Sequence, residues 1–134
     1  MPGQARVLLA EDEPDMLRMT GARIRRAGYE VLEAEDGAAA LVVAKREHPD
    51  FILLDVMMPG LNGYEVLKAL KADPATADIP VVMLTAKASE RDIGQSISMG
   101  SVRHMTKPVN PQELLEEIKI GVERHRHHHK SPPG

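Results

Sequence analysis

The sequence contains no cysteine and no tryptophan, and one phenylalanine and two tyrosines are its aromatic residues. Without cysteine the chain can form neither a disulfide framework nor a thiolate metal site, which fits a reducing compartment. No run approaches the ~20 apolar residues that a membrane-spanning helix needs, and the N-terminus lacks the basic and apolar segments of a secretory signal. We therefore expect a cytoplasmic protein without a membrane partner.

The chain also lacks a strong charge of either sign. Its formal net charge is -3, and its hydrophobic content of 43% and charged content of 28% lie near the averages for globular chains. A net charge this small does not indicate a nucleic-acid partner, so direct nucleic-acid binding is not expected. The length of 134 residues is enough for one domain with its own core and too short for two.

Five short apolar runs alternate with stretches that have the three- to four-residue spacing of amphipathic helices. Pro14 is placed to begin the first helix, Gly28 to follow its end, and Pro111 to begin the last helix. Parallel strands need crossover connections that are usually helical, so this alternation predicts a parallel sheet with helices on both faces. The predicted strands are residues 7–10, 31–34, 51–56, 81–84 and 102–105.

The composition of the runs predicts which strands are central. The runs at 51–54 and 81–84 are continuously apolar, as in strands covered on both faces. Glu33 interrupts the second run, and Arg103 and His104 interrupt the fifth, which suits the two edges of the sheet.

Side chains that could bind a ligand or take part in a reaction follow four of these runs. The acids 11–13, Asp55, Thr85 and Lys107 each stand where an apolar run ends. In an open parallel sheet these carboxyl ends lie at one edge, where ligands bind. Carboxylates, a hydroxyl and an ammonium group brought together there would suit a divalent cation and a phosphoryl group.

Four motifs in this order give the chain its resemblance to a known family. They are residues 7–14, 53–65, 84–86 and 106–108. The chain resembles the receiver domain of bacterial two-component response regulators over residues 5–123. The resemblance implies an α/β fold, a single flavodoxin-like (βα)5 domain with a doubly wound parallel sheet in strand order 2-1-3-4-5. Residues 124–134 remain as a basic, histidine-rich tail, which we expect to be disordered, although it could also continue the last helix or be an expression remnant.

The resemblance implies that Asp55 is the phosphoacceptor and that Mg²⁺, or Mn²⁺ in its place, is the cofactor. Asp12, Asp55 and the backbone carbonyl of Met57 would bind the metal directly, and Glu11 would act through water. The family commonly has aspartate at the position of Glu11. Clustered carboxylates repel one another, and a bound cation relieves that repulsion. Glu13 is expected to be an acid at the start of the first helix.

Further roles also follow from the resemblance. Thr85 and Lys107 would bind the phosphoryl oxygens, and the small Ala86 would leave a path open for the phosphodonor. Met57 and Lys87 would stand at the entrance for hydrolytic water, so we expect them to set the lifetime of the phosphorylated form.

The implied function is a switch and not an enzyme, apart from catalysis of its own phosphotransfer and dephosphorylation. A sensor histidine kinase or histidine phosphotransfer protein would phosphorylate Asp55 in a Mg²⁺-dependent reaction, and the surface around residues 89–123 would change. The family often has an aromatic switch residue where this chain has His104. A working switch and a merely tolerated edge histidine both remain open for that residue.

Several alternatives remain open at this level. A pseudo-receiver that only binds proteins would have the same fold. A Mg²⁺-dependent aspartyl-phosphate phosphohydrolase would need a second aspartate where Met57 stands, and a flavodoxin would need a Ser/Thr/Gly-rich loop where residues 11–13 stand. We expect either a stand-alone regulator or a piece of a longer one with a missing output domain. The downstream effector is unknown, and formation of a homodimer is open.

Overall fold

Five parallel strands form one sheet in the order β2-β1-β3-β4-β5, which confirms the predicted topology. The computed structural model describes residues 4–56, 62–85 and 103–129. The strands are β1 (Arg6–Ala10), β2 (Glu30–Ala34), β3 (Phe51–Asp55), β4 (Val81–Thr85) and β5 (Arg103–Thr106).

Four helices lie within the described ranges. They are α1 (Pro14–Arg26), α2 (Gly37–Glu47), α3 (Gly63–Ala72) and α4 (Pro111–His129). None of the helices in these ranges is long and apolar enough to cross a membrane. The helix that the alternating pattern predicts between the fourth and fifth strands lies outside the described residues.

Local sequence accounts for where the helices begin and end. The side chain of Asp36 accepts a hydrogen bond from the backbone N–H of Ala39 and so caps α2. Asn62 and Glu65 form a reciprocal capping box at the start of α3. After α1 the backbone turns through Gly28, whose φ of 103° favours glycine.

The burial of the strands follows the predicted distinction between centre and edge. Every residue of β3 and β4 is buried. The edge strand β2 exposes Glu30 and Glu33, and the opposite edge strand β5 exposes Arg103. Charged side chains on both edges disfavour pairing with another sheet.

Two hydrophobic clusters cover the two faces of the sheet. One joins β3 residues such as Ile52 to α2 and α3, and the other joins β3 residues such as Leu53 to α1 and α4. Alternation along β3 therefore supplies both clusters, as expected of a strand buried on both faces.

The C-terminal helix is longer than the sequence predicts. Residues 124–129, expected to belong to a disordered tail, continue α4 to His129. Contacts explain this extension, because His125 and Arg126 both lie against the carboxylate of Asp50. Residues 130–134 lie outside the described residues.

Candidate functional site

Three carboxylates meet at the carboxyl end of the central strands. Ala10 pairs with Leu54, so Glu11 and Asp55 are the next residues along two adjacent parallel strands. Ligand oxygens of Glu11, Asp12 and Asp55 lie within 4.8 Å of one another. Glu11 and Asp55 are each only 3% exposed, whereas Asp12 is exposed to solvent. The cluster therefore has a buried floor and one side open to solvent.

Lys107 reaches into this cluster from the segment after β5. Its Nζ donates to Glu11 Oε1 at 3.0 Å and to Asp55 Oδ2 at 2.9 Å. The backbone N–H of Lys107 donates to the carbonyl of Thr85 at 2.6 Å, and the Lys107–Pro108 peptide is cis. The ends of β4 and β5 together hold the ammonium group beside both acids.

Burial and like charge raise the pKa of Glu11 to about 6 from its ordinary value of 4.5. Loss of hydration is the largest cause, and neighbouring Asp55 adds to it, while Lys107 acts in the opposite direction. Burial would lower the pKa of Lys107, but its contacts with Asp55 and Glu11 outweigh burial and raise it. Lys107 therefore stays charged at neutral pH, and Glu11 holds its proton more firmly than an ordinary glutamate does.

Thr85 is the last residue of β4 and is 5% exposed. Asp55 pairs with Leu84, so Thr85 lies one residue further along the strand that neighbours Asp55. The backbone N–H of Val56 donates to the Leu84 carbonyl at 2.9 Å, which holds the two strand ends together. The structure thus brings Thr85 to the same edge as the acids.

The structure describes only some of the other predicted site residues. Met57, Ala86 and Lys87 lie outside the described residues. Glu13 is the N-cap residue of α1, and its backbone N–H donates to Glu11 Oε2 at 3.3 Å. Its position fits the expected acid at the helix start.

His104 lies half-buried on β5, with Nε2 3.5 Å from the hydroxyl oxygen of Tyr64. Tyr64 belongs to the first turn of α3, and sequence reasoning assigned it no role at the site. No sequence spacing indicates this contact, because the two residues meet through the placement of α3 beside the edge strand.

Gly63 is a second position that sequence reasoning missed. A Cβ there would lie 2.7 Å from both the Asp55 carbonyl oxygen and Val56 Cα. Its N–H donates to the Val56 carbonyl at 2.9 Å, so α3 begins in direct contact with the end of β3. The signal in the sequence is glycine immediately after the helix-capping Asn62.

The donor set at this edge fits a hard divalent cation. Its ligand atoms are carboxylate oxygens, which Mg²⁺ prefers, and the exposed Asp12 leaves room for the waters that Mg²⁺ retains. Within the described parts of the chain, this is the one cluster of three or more acidic or histidine side chains with metal-ligand spacing.

A groove of about 300 Å³ adjoins the acidic cluster between α1 and the start of α4. Its lining includes apolar side chains such as Met16, Met19 and Leu114 together with the cationic Arg23 and Lys107. Met19 is 49% exposed, so about half of this apolar side chain is accessible from solvent at the groove.

Comparison with known proteins gives consistent matches. Residues 7–119 match a family model described as "Response regulator receiver domain". The chain is 41% identical to the phosphate regulon transcriptional regulatory protein PhoB of Pseudomonas aeruginosa, covering 88% of this chain and 52% of that protein. It is 37% identical to the protein PilH of the same organism, covering 85% of this chain and 94% of PilH.

Solved structures agree in fold. A CheY-like response regulator receiver domain protein from Methanospirillum hungatei superposes with a TM-score of 0.85 at 29% identity, covering 94% of this chain and 99% of that one. The chain thus spans about half the length of PhoB and nearly all of PilH.

Proposed function

Because the chain belongs to the response regulator receiver domain family, as the match over residues 7–119 shows, we propose that it accepts a phosphoryl group on Asp55. The observation that carries the proposal is the geometry of Asp55. Its carboxylate is buried at the end of a central strand, 2.9 Å from an ammonium group and next to two further acids. A carboxylate held rigidly in this way is positioned as a nucleophile for in-line attack.

In the proposed reaction the phosphoryl group passes from a phosphohistidine nitrogen to a carboxylate oxygen of Asp55. The P–N bond of the donor breaks as the new P–O bond forms, and the donor imidazole leaves. Asp12 and Asp55 would hold Mg²⁺ directly and Glu11 through water, while the predicted Met57 carbonyl ligand lies outside the described residues. When bound, the cation supplies positive charge to the carboxylates and to the phosphoryl oxygens.

Lys107 would change partners during this reaction. Its Nζ donates to Asp55 Oδ2 before phosphorylation and would donate to a phosphoryl oxygen afterwards. The hydroxyl of Thr85, at the end of the adjacent strand, would donate to another phosphoryl oxygen. Both movements would act on the ends of β4 and β5 together, because the Lys107 N–H donates a hydrogen bond to the Thr85 carbonyl.

The proposed readout is therefore the surface formed by β5 and the first turns of α4. His104 lies on this strand three residues before Lys107, in contact with Tyr64 of α3. A change at the Lys107 segment would reach both residues through the short strand that carries His104. Residues 89–102, which belong to the switching surface expected from the sequence, lie outside the described residues.

Hydrogen exchange tests the switch directly. The full chain is compared with and without acetyl phosphate in the presence of Mg²⁺, and deuterium uptake is followed for residues 103–118. We expect uptake to change there in the wild type and to stay constant in Asp55→Asn, with α2 as an internal reference. Phosphorylation that leaves residues 103–118 unchanged would contradict the proposed readout, and a chain that takes up no phosphoryl group would match the pseudo-receiver alternative.

We further propose that the groove between α1 and α4 receives the phosphodonor protein, a sensor histidine kinase or histidine phosphotransfer protein. The donor must place its phosphohistidine beside Asp55, and this groove shares Glu11 and Lys107 with the acidic site. The half-exposed Met19 offers an apolar contact on its outer wall.

A change at Met19 separates docking from chemistry. Met19→Asp should slow phosphotransfer from a protein donor by roughly tenfold, the effect of losing one buried apolar contact. Transfer from acetyl phosphate should stay at the wild-type rate, because that small donor does not need the groove. Val42→Asp, at an exposed apolar position on α2, is the matched control. Equal slowing with both donors would refute a docking role.

A further inference from the structure

The last turns of α4 are held against the end of the sheet that is remote from Asp55. Helix α4 approaches β3 closely at Gly121, where a Cβ would lie 2.3 Å from the ring of the fully buried Phe51. One helical turn later, His125 stands over Asp50, the residue that precedes β3. Close packing at Gly121 therefore determines which residue of α4 meets Asp50.

His125 lies between two carboxylates. Its Nδ1 is 3.3 Å from Asp50 Oδ1, and its Nε2 is 3.9 Å from Asp78 Oδ2. The His125 side chain is only 10% exposed. Asp50 also accepts the backbone N–H of Arg6 at 2.9 Å and lies 3.5 Å from a guanidinium nitrogen of Arg126. The carboxylate of Asp50 thus links β1, β3 and α4.

This arrangement matches the charged form of the histidine ring. Two carboxylates facing one ring favour its charged form, in which Nδ1–H donates to Asp50 and Nε2 lies at ion-pair distance from Asp78, too far for a hydrogen bond. A neutral ring would turn a nitrogen lone pair toward one of the carboxylates. Two positive groups also act here, Arg126 on the same helix and Lys71 on α3, which interacts with Asp78.

We propose that His125 is a pH-sensitive latch that docks the end of α4 onto the sheet when its ring is protonated. Because histidine titrates between about pH 5 and pH 8, the helix end is docked in acidic conditions and loosens as the pH rises. The latch lies at the opposite end of the sheet from Asp55 and does not depend on phosphorylation. It would let pH control how firmly the C-terminal turns of α4, and whatever follows them, are held to the domain.

Hydrogen exchange of the full chain at about pH 5.5 and about pH 8 tests the latch, with uptake corrected for the intrinsic pH dependence of exchange. In the wild type, corrected exchange of residues 122–127 should be roughly three- to tenfold faster at the higher pH, the range for a charge-assisted contact that is mostly buried. The same segment in His125→Gln should show little pH dependence. His127→Gln, at the exposed histidine two positions later, should behave as the wild type.

A second variant distinguishes loss of the latch from a general loss of folding in His125→Gln. Asp78→Asn removes only one of the two carboxylates and should lower the pH at which the segment loosens, because the charged ring loses one partner. The proposal is overturned if the wild-type segment shows no pH dependence, if His125→Gln keeps it, or if His127→Gln abolishes it. An unchanged loosening pH in Asp78→Asn would also contradict the two-carboxylate arrangement.

Discussion

Replacement of Lys107 by methionine should destabilise the metal-free protein far more than an ordinary lysine substitution. Methionine keeps an unbranched side chain of similar length but removes the ammonium group that lies 3.0 Å from Glu11 and 2.9 Å from Asp55. Both acids have side chains only 4% exposed, so the substitution leaves buried negative charges close together. Breaking a fully buried ion pair costs ~3–5 kcal/mol. The Lys107 side chain is 21% exposed, so we expect a loss of about 2–4 kcal/mol.

A divalent cation should restore much of the stability that Lys107→Met loses. Mg²⁺ would place positive charge between the carboxylates that Lys107 otherwise neutralises, so it should bind the variant more tightly than the wild type. The assay is urea unfolding at neutral pH, with EDTA and then with saturating Mg²⁺. Lys68→Met, at an exposed lysine on α3, is the matched control and should change stability by less than ~0.5 kcal/mol.

Two results would refute the electrostatic argument. A Lys107→Met loss no larger than that of Lys68→Met would show that the ammonium group does not compensate the acids. An equal loss with EDTA and with Mg²⁺ would show that the cation does not occupy the same negative field.

Further predictions concern Glu11 and the close contact of α4. The pKa of Glu11 is about 6 in the folded protein, above its ordinary value of 4.5. Between these two pH values the folded protein therefore binds more protons than the unfolded chain does. The contribution of Glu11 to the free energy of unfolding falls as the pH rises from about 4.5 to about 6. Mg²⁺ must displace that proton, so calorimetry should show affinity rising with pH up to somewhat above pH 6 in the wild type and a flatter profile in Glu11→Gln. Gly121→Ala should lower the free energy of unfolding by about 1–2 kcal/mol, since overpacking against Phe51 exceeds the ~1 kcal/mol gain in helix propensity. Gly21→Ala, where the nearest atoms lie at 3.4 Å, should be neutral or stabilising in the same urea titration, and equal effects at the two glycines would contradict the packing argument.

Much of the fold follows from local patterns in the chain. The continuously apolar β3 and β4 are central, and Glu33 and Arg103 mark the edges, as expected. A charged side chain disfavours a central position because helices cover both faces of a central strand. Helix starts were also predictable where a single residue decides them, as Pro14 does for α1.

The C-terminal boundary could not be predicted in this way. Residues 124–129 are polar and basic, with no apolar periodicity to indicate a packed helix. Their order depends on His125 and Arg126 meeting Asp50, which lies 75 residues from His125 in sequence. A long-range polar contact of this kind has no local signature.

At the candidate site, too, some features follow from the sequence and others depend on packing. Strand ends predicted that the acids 11–13, Asp55, Thr85 and Lys107 would lie at one edge, because the carboxyl ends of parallel strands coincide. The raised pKa of Glu11 depends on its burial, and the contact of His104 with Tyr64 depends on the position of α3. Both require the packed structure.

We propose that Asp55 accepts a phosphoryl group with the help of a divalent cation. Intact-protein mass spectrometry after incubation with acetyl phosphate tests it, with the wild type compared with Asp55→Asn and with Asp36→Asn, an aspartate that caps α2 away from the site. We expect a gain of one phosphoryl group, about 80 Da, in the wild type and in Asp36→Asn, with no gain in Asp55→Asn or with EDTA present. A gain that persists in Asp55→Asn, or no gain in folded wild-type protein with saturating Mg²⁺ and a range of small-molecule and protein phosphodonors, would contradict it.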